Sequence, residues 1–183
     1  HNDPLSMSGS RLVSERETIL KNVEKLIFVS KWVKERYFIG LDTKLSYKAQ
    51  IIYPSVNKQK YIKKTKIITY VGKLNHAKGY DIYKDAITDI LNKFPKWKAV
   101  SIGDENRRKI YINHKRHSEL GFLNHKKTLN ILSKSEIAVV PSRWDEPFGR
   151  VALEATACGC ATITSNNGGL TETTDHSIIL KDN

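Results

Sequence analysis

The chain has 183 residues, of which 39% are hydrophobic and 27% are charged, a composition typical of a soluble globular protein with one main core. No stretch approaches the ~20 apolar residues that a membrane-spanning helix needs, and the polar, acidic start lacks the pattern of a secretory signal peptide. The formal net charge of +12 favours an anionic partner, which leaves nucleic acid, acidic lipid and phosphorylated substrates all open.

The first 57 residues contain two helical and two strand patterns. Ser14-Glu-Arg-Glu17 is a capping-box pattern, which predicts a helix from about residue 15 to 24. Ser30 is placed to cap a second helix that runs to about residue 38. Apolar strands are predicted at 26–29 and 49–53. The lysine-rich segment 57–66 that follows is interpreted as a solvated linker.

Beyond this linker, strand patterns alternate with helical patterns of about 10 residues or more. Strands are predicted near 66–71, 98–102, 117–120, 136–140 and 160–164, and helices near 80–93, 105–113, 125–134 and 149–158. This alternation implies β-α-β units and a parallel sheet. The sequence therefore predicts an α/β fold, a Rossmann-like parallel sheet with helices on both faces, over residues 58–183. Residues 1–57 are predicted to be the end of a preceding domain and its crossover.

The two cysteines are too few for a disulfide framework or a four-ligand zinc site. Cys158 and Cys160 lie two positions apart, next to a predicted helix end and strand. We expect both to be small buried residues in a reducing compartment, which predicts a cytoplasmic location.

Two carboxylates eight positions apart, Glu146 and Glu154, are the most informative feature of the sequence. If every step were helical they would lie about 12 Å apart, farther than the roughly 5 to 9.5 Å that separates paired carboxylates acting on one bond. That span suits the two ends of one extended ligand. Glu154 shares a stripe with Val151 and Ala155, so we expect it to be partly buried.

The segment Glu146-Pro-Phe-Gly-Arg-Val-Ala-Leu-Glu154 resembles the E-x7-E signature of group 1 (family 4-like) retaining glycosyltransferases with the GT-B fold. Val139-Val-Pro-Ser142 before it and Gly168-Gly-Leu-Thr-Glu172 after it match the family in order, and Tyr70-Val-Gly-Lys-Leu74 with Lys78-Gly79 resembles its phosphate-binding loop. The resemblance implies two Rossmann-like domains that face a cleft, of which this chain holds the C-terminal one and a remnant of the first. We therefore expect the chain to be a fragment of a longer enzyme.

The same resemblance implies a role for each candidate site residue. Lys73 and Lys78 would stabilise the negative charge of the departing diphosphate, and Glu146 would contact hydroxyls of the donor sugar, so these three are the catalytic candidates. Glu154 would accept hydrogen bonds from the ribose hydroxyls. The other donor-binding candidates are Gly72, Gly121, Phe122, Phe148, Gly149, Arg150, Gly168 and Gly169, with the base expected near Gly121 and Phe122.

No metal and no other cofactor is expected. The sequence has no D-x-D motif, and His114-x-x-His117 has no further ligands at recognisable spacing. His1 is a candidate for the catalytic-centre histidine that many relatives carry, although no strand precedes it in this sequence.

The resemblance implies transfer of a hexose from a UDP- or GDP-sugar to an acceptor hydroxyl with retention, in lipopolysaccharide or polysaccharide biosynthesis. A lipid-linked or glycan acceptor would agree with peripheral contact between this basic chain and an anionic membrane on its inner face. The alternative is a non-catalytic nucleotide-sugar-binding subunit, or an inactive fragment that needs a partner domain. Nucleic acid is not an expected partner, since no base-stacking or helix-in-groove motif is present.

Overall fold

The computed structural model describes residues 3–6, 9–106 and 110–180. Within them the helices are α1 Val13–Asn22, α2 Lys31–Phe38, α3 Tyr80–Lys93, α4 His125–Lys134 and α5 Arg150–Ala157. The strands are β1 Leu26–Phe28, β2 Ala49–Ile51, β3 Thr65–Val71, β4 Lys98–Ile102, β5 His117–Glu119, β6 Ser135–Val140, β7 Ala161–Thr164 and β8 Ile178–Ile179. Short 3-10 turns lie at Thr43–Lys48, His76–Lys78 and Gly169–Glu172.

The larger sheet has six parallel strands in the order β5-β4-β3-β6-β7-β8. The chain adds strands outward from β3 in one direction and then, from β6, in the other. Neighbouring strands β3 and β6 therefore flank the point where the strand order reverses, and ligands of open parallel sheets bind at the carboxyl ends of such strands. The predicted α/β, Rossmann-like fold is confirmed.

Helices cover both faces of this sheet because successive strand residues point to opposite sides. On one face, α3 buries Tyr80, Tyr83, Ile87 and Leu91 against Ile68, Tyr70 and Ala99. On the other, α4 and α5 bury Leu132, Ala155, Cys158 and Cys160 around Ala138. Both cysteines are free and buried, as the sequence predicted, and burial raises the pKa of Cys160 to about 11.

Residues before the crossover form a smaller unit. Strands β1 and β2 pair in parallel, and α1 and α2 pack Leu20, Phe28, Val33 and Tyr37 into a second cluster. Ser30 caps α2 as predicted, because its side chain accepts a hydrogen bond from the N–H of Val33. The division at residues 57 and 58 into two domains stays a prediction.

Two predictions about local structure were wrong. Helix α1 begins at Val13 after Leu12, which has no capping side chain, and Ser14 lies inside the first turn. The predicted linker, in contrast, is confirmed over residues 57–64, which form no helix or strand and are mostly exposed, although Lys64 donates to the carbonyls of Leu132 and Cys158.

The second error is the helix at 105–113. Residues 105–106 and 110–113 form no helix, and residues 107–109 lie outside the described residues. The start of this segment is tied to the neighbouring loop, because the Leu74 N–H donates to the Asp104 carbonyl and the Asn75 amide donates to Glu105. The Asp104 carbonyl, which would accept the first hydrogen bond of such a helix, is therefore already paired with another loop.

Candidate functional site

A cleft of about 720 Å³ opens at the carboxyl ends of β3 and β6, at the point where the strand order reverses. Its walls come from the end of β3, from Lys78 and from residues 146–151, and its opposite side includes Val29, Pro54 and Ser55. A hollow of about 380 Å³ adjoins the cleft, since Ser55 and Arg150 line both, and it is also lined by His125 and Glu154.

The loop after β3 is held in one conformation by its own residues. The Asn75 side chain accepts a hydrogen bond from the Lys78 N–H at 3.1 Å, and the Tyr70 hydroxyl, buried below the loop, donates to the Lys73 carbonyl at 2.7 Å. Gly79 has φ +67°, and a Cβ there would lie 1.8 Å from the Pro141 carbonyl oxygen. Only glycine fits this position, so the turn that presents Lys78 depends on it.

Lys78 extends from this turn into the cleft and contacts the first glutamate of the motif. Its Nζ lies 2.6 Å from Glu146 Oε1, and both side chains are largely buried. Lys73 is different: its side chain is exposed, and it is not among the described residues that line the cleft. Gly72 does line it, with φ +155°.

An ion pair of Asp81 with Arg143 supports the same loop from outside. Arg143 donates to both Asp81 oxygens at 2.6 and 2.8 Å and to the His76 carbonyl at 3.0 Å. Burial alone would raise the pKa of Asp81, but hydrogen bonds from Arg143, its own backbone and His76 lower it overall. The sequence does not indicate this bridge, because its partners are 62 positions apart and belong to no motif.

The loops after β6 and β7 meet at Glu146. The Gly169 N–H donates to the Glu146 carbonyl at 2.6 Å, and Glu146 forms an isolated parallel bridge with Gly168. Gly168 has φ +65°, and a Cβ there would lie 2.3 Å from the same carbonyl oxygen. The structure thus brings the predicted residues Gly168 and Gly169 to the backbone of Glu146, where no larger residue fits.

Helix α5 starts at the cleft wall. Phe148, Gly149 and Arg150 line the cleft, and Gly149, with φ +98°, precedes the first helical residue. N–H groups in the first turn of a helix lack partners within the helix, so backbone donors are available at this wall.

Glu154 lies one turn farther along α5 and is 7% exposed, which agrees with the predicted burial. Its Oε1 lies 3.2 Å from His125 Nε2 and 3.4 Å from an Arg150 guanidinium nitrogen. A buried carboxylate needs such partners. His125 has no motif in the sequence; its only signal is its place at the start of α4, after the capping residue Asn124.

Gly121 and Phe122, where the base was expected, follow β5. Gly121 lines a separate hollow of about 200 Å³ with Leu74, Gly103 and Asp104, and Phe122 is 78% exposed. The structure therefore places Gly121 near Leu74 of the loop after β3, and neither Gly121 nor Phe122 is among the described residues that line the main cleft.

His114 and His117 do not form a metal centre with other described residues. His117 Nε2 lies 2.8 Å from Ser101 Oγ, and burial lowers the pKa of His117. Among residues 3–6, 9–106 and 110–180, no group of three or more His, Cys, Asp or Glu side chains could hold a metal ion. His1 lies outside the described residues.

Comparison with known sequences identifies relatives of this chain. The family described as glycosyl transferases group 1 matches residues 54–180. An uncharacterised 42.6 kDa protein in the cps region of Klebsiella pneumoniae is 30% identical over 159 residues, which covers 83% of this chain and 41% of that protein. An uncharacterised glycosyltransferase of Methanocaldococcus jannaschii is 35% identical over 159 residues, covering 82% and 42%. The chain spans less than half the length of these relatives.

Solved structures show the same fold. The Anabaena protein HepE in complex with UDP and glucose superposes with a TM-score of 0.76 at 18% identity, covering 99% of this chain and 56% of that one. WaaG, a glycosyltransferase involved in lipopolysaccharide biosynthesis, gives a TM-score of 0.65 at 16% identity, covering 82% and 47%. The fold of this chain is therefore that of about half of a GT-B glycosyltransferase.

Proposed function

Because this chain belongs to the group 1 glycosyltransferase family, we propose that it acts in transfer of a hexose from a UDP- or GDP-sugar to an acceptor hydroxyl, with retention. The observation that carries the proposal is the contact of Lys78 with Glu146 in the cleft at the strand-order reversal. Glu154, in the adjoining hollow, is the carboxylate proposed for the nucleoside end of the donor. The cleft with its adjoining hollow thus offers a cation for a diphosphate and two carboxylates for the hydroxyls of two sugars.

At the sugar end, Lys78 binds the diphosphate and Glu146 accepts from donor-sugar hydroxyls. The Lys78 ammonium has three N–H donors, so it can keep its contact with Glu146 while it donates to a phosphate oxygen. The backbone groups of Phe148, Gly149 and Arg150 add donors at the same wall. Lys73 is proposed to act from the rim of the loop, since its side chain is exposed.

In the proposed reaction the acceptor oxygen bonds to the anomeric carbon while the bond from that carbon to the diphosphate oxygen breaks. The acceptor proton passes to the leaving diphosphate. Charge grows on the leaving oxygen in the transition state, so a lysine fixed beside it lowers the barrier selectively. No metal and no cofactor take part in this proposal.

At the nucleoside end, Glu154 accepts hydrogen bonds from the ribose hydroxyls. His125 and Arg150 contact its Oε1 and hold the carboxylate in the hollow beside the cleft. Gly121 and Phe122 are proposed to meet the base through main-chain atoms.

The proposed pathway is lipopolysaccharide or polysaccharide synthesis. One solved neighbour acts in lipopolysaccharide biosynthesis, and the chain resembles a protein of a cps region. No helix among the described residues is both long enough and apolar enough to cross a membrane. A peripheral contact with an anionic membrane, on its cytoplasmic face, is proposed from the net charge of +12.

A transfer assay tests the proposal. The chain, alone and combined with the first domain of a relative, would be supplied with UDP-glucose or GDP-mannose and a glycan acceptor, and the anomeric configuration of the product would be read by proton NMR. We expect a retained linkage and a rate unchanged by EDTA. An inverted product or loss of activity with EDTA would contradict this mechanism, and donor binding without turnover in either form would favour the non-catalytic subunit.

A further inference from the structure

Glu172 connects the loop after β7 to the helix that precedes the crossover. Its two carboxylate oxygens accept hydrogen bonds from the N–H groups of Lys31 at 2.7 Å and Trp32 at 2.8 Å. The Tyr53 hydroxyl donates to the same carboxylate at 3.0 Å. We call these three hydrogen bonds the Glu172 clasp.

The clasp uses groups that favour a carboxylate. Lys31 and Trp32 form the first turn of α2, where N–H groups have no partner within the helix and the helix dipole favours negative charge. The hydrogen bond with Glu172 raises the pKa of the Tyr53 hydroxyl. Removing the carboxylate would leave all three donors without this acceptor.

The clasp lies next to the backbone that carries Glu146. Ser30, the capping residue of α2, donates from its hydroxyl to the Pro147 carbonyl at 2.6 Å. A Cβ on Gly169 would lie 2.8 Å from Ser30 Oγ and 2.5 Å from the Pro147 carbonyl oxygen. The start of α2 is therefore packed without spare room against the residue that follows Glu146.

The Gly169–Glu172 turn completes the connection. At one end, the Gly169 N–H donates to the Glu146 carbonyl at 2.6 Å, and at the other end Glu172 holds α2. A shift of α2 must therefore move either this turn or Pro147, and both contact the backbone of Glu146.

We infer that Glu172 is a positioning residue for the sugar end of the donor cleft, acting through the Gly169–Glu172 turn on Glu146. The inference rests on the proposed function for the identity of the ligand. Through this turn the part of the chain before the crossover sets the position of the carboxylate that contacts the donor sugar, while Glu154 on α5 is held separately by His125 and Arg150.

The first test needs no ligand. Amide hydrogen exchange in the full 183-residue chain would be compared between wild type and Glu172→Gln, which keeps the shape and removes the charge. The control is Asp175→Asn, the same chemical change at an exposed position three residues on. We expect faster exchange at Lys31 and Trp32 and about tenfold faster exchange at Gly169 in Glu172→Gln alone. If Gly169 exchanges as in wild type, Glu172 only caps α2 and the inference is wrong.

The second test measures the sugar directly. The same variants would be titrated calorimetrically with UDP, UDP-glucose, GDP and GDP-mannose. We expect Glu172→Gln to lose about tenfold in affinity for the sugar conjugate and to bind the free nucleotide like wild type. Equal losses for nucleotide and conjugate would overturn the inference. If wild type binds none of the four, the proposed function fails, whereas the Gly169 exchange rates still decide whether Glu172 positions Glu146.

Discussion

Lys78 and Glu146 are 68 positions apart in the chain, and their 2.6 Å contact depends on turns that each require a glycine. Both residues could be predicted as site residues from the sequence, because both belong to family motifs. The sequence could not show that they touch, since that depends on how Gly79 and Gly168 bend two separate loops. The exposed position of Lys73 was equally invisible, because adjacent loop residues can point in opposite directions.

The two glutamates should have separable effects on binding. Glu154→Gln should weaken UDP and UDP-sugar equally, by about tenfold or more, because a hydrogen bond to a charged group contributes about 1.5–3 kcal/mol. Glu146→Gln should leave UDP binding unchanged and remove the added affinity of the sugar. Calorimetric titration of both variants measures this. Wild-type affinity for every ligand in both variants would show that the assigned ends are wrong.

Asp81 should make stability depend on pH. Its folded-state pKa is lowered from 3.8, although burial opposes the shift, because Arg143, its own backbone and His76 hydrogen-bond to the carboxylate. A lowered pKa stabilises the fold above the unfolded-state pKa, and this contribution is lost as pH falls through the folded-state value. Asp81→Asn should therefore be less stable than wild type at neutral pH, and the difference should shrink below pH 3.8.

Urea unfolding of wild type and Asp81→Asn from neutral to strongly acidic pH would measure that difference. Asp85→Asn, at an exposed position one turn farther along α3, is the matched control. If the difference in unfolding free energy between wild type and Asp81→Asn stays constant with pH, the bridge to Arg143 does not set the Asp81 pKa.

At the scale of elements, hydrophobic periodicity predicted most of the fold. The predicted bounds of the helices at 80–93 and 125–134 match α3 and α4, because each has one continuous buried face. The helix predicted at 105–113 does not form in residues 105–106 and 110–113. Just before it, the Asp104 carbonyl accepts a hydrogen bond from the Leu74 N–H of another loop. Strand β8, with only two residues, was too short to recognise.

The turn before α3 gives a test with an internal control. In Gly79→Ala the left-handed backbone should lower the free energy of unfolding by roughly 1–2 kcal/mol. The clash of the new Cβ with the Pro141 carbonyl should lower it further. Gly121 has a similar φ of +64°, but nothing lies within 4 Å of a new Cβ there. Gly121→Ala should therefore be destabilised by the backbone conformation alone. Denaturant unfolding would compare the two variants, and equal stability would show that the turn moves freely away from Pro141.

At the scale of the whole molecule, the sequence predicted a parallel sheet but not its strand order. The alternation of strands and helices fixes local units, whereas the order β5-β4-β3-β6-β7-β8 depends on which way each crossover turns. The cleft lies at the reversal of that order, so its place could be predicted only through the family motifs. Glu172 belongs to a family motif, but its contacts with α2 join two distant segments and could not be predicted from that motif.

The proposed membrane contact agrees with the net charge of +12 and can be tested with lipid vesicles. At low salt the chain should sediment with vesicles that contain anionic lipid. Each lysine near such a surface contributes about 1 kcal/mol to the binding free energy. Binding should fall as salt shortens the range of the attraction. Neutral vesicles are the control, and equal binding to both kinds, or no binding to either, would contradict the proposed membrane contact.

The most direct test of the donor site is calorimetric titration of this chain with UDP, GDP, UDP-glucose and GDP-mannose. We predict saturable binding to one of the two nucleotides and tighter binding to its sugar conjugate, since the proposal assigns Lys78 and Glu154 to the nucleotide and Glu146 to the sugar. A folded chain that binds none of the four ligands would contradict the assignment of this cleft as a complete nucleotide-sugar site.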